Sequence, residues 1–182
     1  MADYVKYPKI PRLVKDVIVT EKIDGTNAQV CFLPDGQGGS VMTAGSRNRE
    51  LVSIDFPGTE LQQVRWHGND NYNFGQWVVD NCSDLRKLGY GNHYGEWWGL
   101  GIQRGYNMKE KVFSLFKPVK NQPDCCRQVP VLATIQGFDG INSVIQDLKE
   151  NGSEASPGFM DPEGVIAFHC GAGQLFKFHI RK

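Results

Sequence analysis

No stretch of this chain stays apolar for anything near the ~18 residues that a membrane-spanning helix needs. The N-terminus, Met-Ala-Asp-Tyr-Val-Lys, lacks the apolar core of a signal peptide. A cytoplasmic, intracellular location with no membrane partner is therefore expected. Ordered cysteine spacing is missing too. Cys31, Cys82, Cys125, Cys126 and Cys170 show no zinc-type pattern, and His169-Cys170 has no second pair to complete a metal site. An odd count with one vicinal pair argues against a disulfide framework, so free structural thiols are expected. Nor is there an excess of either charge: 20 Lys+Arg balance 20 Asp+Glu. Bulk charge thus gives no announcement of nucleic-acid binding. No internal repeat and no low-complexity linker divides the sequence. What is left, at 182 residues with 40% hydrophobic and 22% charged, fits one globular domain with a sizeable core.

The charge is unevenly distributed. Arg104, Lys109, Lys111, Lys117, Lys120 and Arg127 stand against only Glu110 and Asp124. The region from Thr134 to Glu163 is acidic, and the tail (Lys177, His179, Arg181, Lys182) is basic again. A neutral protein of this kind can present a basic face to a phosphate backbone, or simply two solvated faces of opposite sign.

Periodicity predicts strands on either side of an Asp24-Gly25 turn within residues 16–33, a loop over 34–39 and a returning strand over 40–44. Residues 59–88 carry helical spacing in two pieces. Thr59 is placed to cap Leu61, Val64 and Arg65, and an apolar stripe of Phe74, Val78, Trp77 and Cys82 follows the polar break at Gly68-Asn69-Asp70-Asn71. Residues 93–98 and 112–116 read as strands. Residues 139–151 read as a helix stopped by Gly152, and 164–169 and 174–180 read as closing strands. This order favours α+β with mostly antiparallel sheets over a doubly wound parallel fold.

The segment Glu21-Lys22-Ile23-Asp24-Gly25-Thr26-Asn27 follows the apolar run Val17-Ile18-Val19. It places an amine at the lip of a strand, just before a turn, although Asp-Gly is also an ordinary hairpin signal. The segment resembles motif I of the covalent nucleotidyltransferases, the superfamily of ATP-dependent DNA and RNA ligases and mRNA capping enzymes. The Glu before Lys and the Thr-Asn after Gly look most like the RNA ligase 2 branch. Further segments follow in that superfamily's order. Gly45-Ser46-Arg47-Asn48-Arg49 resembles motif Ia, and a planar guanidinium such as Arg47 suits bidentate phosphate contact. Tyr94-Gly95-Glu96-Trp97-Trp98-Gly99 resembles motif III, and Leu100-Gly101-Ile102-Gln103-Arg104-Gly105-Tyr106 continues the likeness. Val112-Phe113-Ser114-Leu115-Phe116-Lys117 resembles motif IIIa, with Lys117 where the family usually has an acid. Asp161-Pro162-Glu163-Gly164-Val165-Ile166 resembles motif IV. Leu175-Phe176-Lys177-Phe178-His179 resembles motif V, with His179 replacing the family's second lysine.

The resemblance implies a nucleotidyltransferase (ATP-grasp-like ligase) domain with a nucleotide cleft between its sheets. It also implies the roles of the residues. Lys22 would attack the α-phosphorus of ATP and become lysyl-AMP. Glu163 would serve catalysis and hold Mg²⁺ or Mn²⁺, and Lys177 would be a further catalytic group. Glu21, Ile23, Arg47, Glu96, Phe116, Lys177 and His179 would bind the nucleotide, with Glu96 on the ribose and Phe116 stacked on adenine. Asn27 and Arg104 would contact nucleic acid. An amine attacks only when neutral, so Lys22 must lose its proton, which neighbouring cations favour. Histidine is only partly charged near neutrality, so activity is expected to depend on pH. AMP would then pass to a 5′-phosphate and be displaced by a 3′-hydroxyl, with RNA as the expected strand and a monomer as the acting form. Only three residues follow His179, so one adenylyltransferase domain over 1–182 is expected, with no OB-fold or C-terminal helical domain. Alternatives are a DNA ligase, an mRNA guanylyltransferase, or a nucleic-acid-binding relative impaired in catalysis by His179.

Overall fold

The computed structural model describes residues 5–8, 10, 14–57 and 63–180. Among these, eleven strands and two α-helices form two sheets, in the α+β order that the sequence pattern favours. The strands are β1 (Asp16–Lys22), β2 (Thr26–Pro34), β3 (Ser40–Ser46), β4 (Glu50–Phe56), β5 (Gln63–Trp66), β6 (Gly91–Gly99), β7 (Lys111–Leu115), β8 (Cys126–Gln128), β9 (Val131–Gln136), β10 (Gly164–His169) and β11 (Gln174–His179). The helices are α1 (Phe74–Leu85) and α2 (Ile141–Asn151). The larger sheet runs β5-β4-β3-β2-β6-β7-β8 and the smaller one β11-β10-β1-β9. Every pairing is antiparallel except β7 with β8.

Each sheet is covered by one helix. Alternation along a strand sends successive side chains to opposite faces. On the larger sheet Ala28, Val30, Met42, Ala44, Trp97 and Phe113 turn toward α1 and form one core with Phe74, Val78, Cys82 and Leu85. Phe74 anchors it, with ring centroids 5.3 Å from Trp97 and 5.2 Å from Phe113. Burying one such side chain is worth about 1.5–3 kcal/mol. Asp70, in the polar break before α1, caps the helix from a distance: its carboxylate accepts the N–H of Gly75 at 2.7 Å and of Gln76 at 3.0 Å. On the smaller sheet Val17, Val19, Val165 and Ala167 pack with Ile141, Val144 and Leu148 of α2. Gly152 ends that helix with a positive φ of 81° and donates its N–H to Leu148 O. A third cluster, Ile23, Trp98, Tyr106, Val112 and Val129, joins the two sheets.

The helical spacing expected before Gly68 is overturned where it is described. Val64 and Arg65 lie in β5, an edge strand paired with β4, while Thr59 and Leu61 lie outside the described residues. Four mostly exposed residues carry too little apolar pattern to separate the two structures by spacing. The cysteines are free. No helix among the described residues is long and apolar enough to cross a membrane.

The smaller sheet depends on one missing side chain. Gly164 pairs with Lys22 on one side and His179 on the other. A Cβ there would stand 2.1 Å from Phe178 O and 3.0 Å from His179 Cα, both backbone atoms. Gly164→Ala must therefore push β10 and β11 apart. A loss of about 1–3 kcal/mol is expected from denaturant midpoints, the ordinary penalty of overpacking. An unchanged midpoint would show that β11 does not pair at this register.

Candidate active site

Lys22 closes β1 on the face of the smaller sheet that α2 leaves uncovered. Its neighbours Val17, Val19 and Glu21 turn the other way, so Ile18, Thr20 and Lys22 share the open face. The register carries this face across the sheet. Lys22, Gly164 and His179 form one row, and Thr20, Ile166 and Lys177 form the next. Because Gly164 has no side chain, Lys22 and His179 approach the same space. Glu163 enters it from the turn before β10. Lys22 Nζ donates to Glu163 Oε2 at 2.5 Å, and His179 Nδ1 lies 3.4 Å from Glu163 Oε1. Residues 141 positions apart in sequence thus meet in one ion pair. Lys177 stands on the same face, exposed and with no hydrogen bond or ion pair among the described residues.

Glu96 approaches from the larger sheet. It pairs with Asn27 on β2 and Ser114 on β7, on the face opposite α1. Its carboxylate accepts the Gly25 N–H at 3.1 Å and the Asn27 Nδ2 at 3.3 Å. The turn after Lys22 can press this close because position 25 is glycine: a Cβ there would meet Trp97 O at 2.5 Å. Burial raises the Glu96 pKa to about 7; Lys22 and the Gly25 N–H pull it down, while Glu163 and Asp24 push it further up. At neutral pH the group therefore divides between an acceptor-only carboxylate and an acid able to donate.

A cleft of about 480 Å³ opens over the same face of the larger sheet. Asn27, Arg47, Tyr94, Phe116, Lys117 and Leu175 are among the residues lining it. Arg47, from the turn between β3 and β4, is exposed and has no ion-pair partner among the described residues. The two phenylalanines of β7 and its end divide cleanly: Phe113 is fully buried against α1, while Phe116 is 43% exposed on the cleft.

Three expected contacts sit elsewhere. Glu21 is 1% exposed on the α2 side, where it accepts Ser153 Oγ at 2.6 Å and Ala155 N at 2.9 Å; burial raises its pKa. The Ile23 side chain fills the cluster between the sheets. Any contribution of these two positions to a nucleotide is thus left to backbone atoms. Arg104 is turned inward as a clasp: Nε donates to Asp24 Oδ2 at 2.9 Å and Nη1 to Asp161 O at 2.8 Å. Alternation around Lys22 already signals the first two. The clasp spans 80 residues and has no local signal. Missed as well was Tyr106, whose buried hydroxyl accepts the Asp24 N–H at 2.9 Å.

Among the described residues no group of three or more His, Cys, Asp or Glu could hold a metal ion by itself. Glu163 and Glu96 nevertheless lie close enough for the charge of one to act on the other, and both offer hard carboxylate oxygens, a donor type that suits an ion shared with phosphates.

A strand-end lysine paired with a carboxylate, beside a cleft between two mostly antiparallel sheets, fits a nucleotidyltransferase domain. A sequence model of the RNA ligase family matches residues 15–165, and the chain belongs to that family. The fold is also that of Naegleria gruberi RNA ligase. A mutant of that ligase with AMP and Mn is 18% identical, with a TM-score of 0.59 over 91% of this chain and 49% of that one. Another mutant, with ATP and Mn, is 19% identical at a TM-score of 0.59 over 91% and 50%. The chain thus spans about half the length of those ligases. Curated protein sequences contain no match to it.

The raised Glu96 pKa gives a test of the geometry. A carboxyl whose pKa is higher in the folded state lends stability that is complete below about 4.5 and is lost as pH rises through about 7. The native protein should therefore lose stability across that interval, by on the order of 3 kcal/mol at most from this group. Glu96→Gln should flatten the fall, leaving the smaller slope due to Glu21. Urea melts at a series of pH values check this; an unchanged slope would show that Glu96 ionises freely.

Proposed function

We propose that this chain is the adenylyltransferase unit of an ATP-dependent RNA ligase, working through a lysyl-AMP intermediate at Lys22. The observation that carries the reading is the meeting of Lys22 and His179, from one row of the smaller sheet, on the carboxylate of Glu163 from the turn beside it. Membership of the RNA ligase family supports it, and so does the AMP or ATP with Mn present in the Naegleria ligase structures.

On this reading the ammonium of Lys22, hydrogen-bonded to Glu163 Oε2, loses its proton to solvent as neighbouring cations gather around it. The freed amine attacks the α-phosphorus of ATP. A P–N bond forms, the P–O bond to pyrophosphate breaks, and pyrophosphate leaves. Lys177 and His179 line the same face and stabilise negative charge building on the phosphate. Glu96 orients the ribose, Arg47 meets phosphate at the cleft wall and Phe116 stacks on the base. Glu163 and Glu96 would hold Mg²⁺ or Mn²⁺ together with the phosphates. The ion would supply charge neutralisation on the phosphoryl oxygens. AMP then passes from Lys22 to a 5′-phosphate, with Asn27 placed to contact that end, and a 3′-hydroxyl displaces it. Glu96, raised toward neutrality by burial, makes the rate sensitive to pH.

Incubation of the protein with ATP and Mg²⁺ or Mn²⁺ should add the mass of one AMP. Lys22→Ala should abolish the adduct, and GTP should not replace ATP. Absence of any adduct between about pH 6 and 9 would sink the reading. His179 shares the face that carries Lys22 and is placed to donate to the same phosphate. His179→Ala should accordingly slow adduct formation by about 10-fold or more, and His179→Lys should restore most of it, in a time course at fixed pH. An unchanged rate in His179→Ala would remove His179 from the rate-setting step.

A further inference from the structure

The open face of the larger sheet does not end at Glu96. Along β2 and β6 it continues through a row of Gln29 beside Tyr94 and a row of Cys31 beside Asn92. Four residues of strand span ~13 Å, against ~3.4 Å of helix axis per nucleotide of one strand in a duplex. One nucleotide held at Glu96 leaves most of that run free, and the cleft extends over it.

The residues there are built unlike their neighbours. Tyr94 is 54% exposed, although the five residues that follow it in β6 are all buried. It stands beside Phe116, whose N–H donates to Tyr94 O at 3.0 Å. Across the cleft Leu175 of β11 is 68% exposed, on the face that also carries Lys177 and His179. Lys117 lines the same wall and has no hydrogen bond or ion pair among the described residues. It occupies the position where motif IIIa usually has an acid, so a repelling charge has become an attracting one. An aromatic platform, an aliphatic wall opposite and an unpaired cation alongside are the parts of a site that grips single-stranded nucleic acid with little regard to base.

Resting on the reading of the chain as a polynucleotide ligase, we propose that Tyr94 and Lys117 form a strand subsite next to the adenylate. The base of the 5′-terminal nucleotide stacks on Tyr94 against Leu175, and Lys117 pairs with a phosphate of the strand backbone. Both side chains are positioning groups for AMP transfer to the strand. Neither takes part in lysyl-AMP formation.

The test uses the whole chain, a labelled 5′-phosphorylated single-stranded RNA, and two readouts: RNA affinity at several salt concentrations, and lysyl-AMP formation from ATP. Tyr94→Ala should weaken RNA binding and AMP transfer to the strand by about 5- to 150-fold, the range of one base–aromatic stack. Tyr94→Phe should keep both within about twofold, because the ring is retained. Lys117→Ala should lower the slope of log affinity against log salt by about 0.7–0.9, one phosphate contact. All three variants should form lysyl-AMP within about twofold of the native rate. The ATP triphosphate offers the same phosphate chemistry, and a matching loss of lysyl-AMP formation would assign both residues to ATP instead. That outcome, or unchanged RNA affinity in Tyr94→Ala, overturns the proposal. The functional reading fails separately, through a native protein that takes up no AMP. RNA affinity of the native protein against Tyr94→Ala decides the subsite even then.

Discussion

The contact between Lys22 and Glu163 is the constraint around which the smaller sheet is arranged. An ammonium and a carboxylate 2.5 Å apart, only 22% and 13% exposed, have given up much of their hydration. Such a pair persists only if its geometry is held from outside, because desolvation offsets much of the attraction. It is held from several sides. The antiparallel register of β1 and β10 sets Lys22 opposite Gly164, directly after Glu163. Arg104 ties Asp24, two residues after Lys22, to Asp161, two residues before Glu163. Glu21 pins the chain behind Lys22 to the loop at Ser153 and Ala155. The clasp and the pin flank the lysine along the chain and hold the backbone that carries it.

The same arrangement sets the chemistry. Glu163 uses one oxygen on Lys22 and turns the other toward His179. Any phosphate reaching Lys22 meets an ammonium already paired, so the incoming anion and Glu163 compete for one cation. Glu96 feels this competition from across the cleft, drawn down by Lys22 and pushed up by Glu163. A group balanced near neutrality between opposed charges responds to whichever charge moves.

The legible parts of the sequence were those whose cause is local. The turn at Asp24-Gly25, the stripe of Phe74, Val78 and Cys82, and the helix stopped by Gly152 each follow from residues within one or two turns of chain. Hidden parts have causes that are distant. The short strands β8 and β9 exist because β7 and β1 offer edges, and their own composition scarcely marks them. Arg104 looked like one member of a basic stretch; only the fold brings Asp24 and Asp161 to it. In that stretch Lys111 donates to Tyr72 O and Arg127 pairs with Glu110, so a run of charge in sequence becomes scattered bracing in space. Glu21 and Ile23 differ, since period-two alternation around Lys22 already sends them away from the cleft.

Why the cleft collects the exposed aromatic and cationic groups follows from the layering. Each sheet has one face sealed by a helix, so each apolar position in phase with that helix is core, as Phe113 and Trp97 are. Positions out of phase face their counterparts across a gap that no helix of the described residues fills. There Tyr94, Phe116 and Leu175 keep apolar surface in water, at a standing cost unless something covers it. The chain has no net charge, yet many of its cations elsewhere are neutralised in place: Arg65 by Asp55, Lys87 by Asp84 and Asp124, Arg127 by Glu110. Among the described residues Arg47 and Lys117 stay unpaired at the cleft walls, and a cleft of one sign within low-dielectric walls focuses its field on what enters. A balanced composition is thus compatible with a locally basic cleft, because the balance is struck away from the cleft. The ligand that satisfies both features carries a flat apolar surface and a negative charge within a few ångströms of each other, which is the chemistry of a nucleotide.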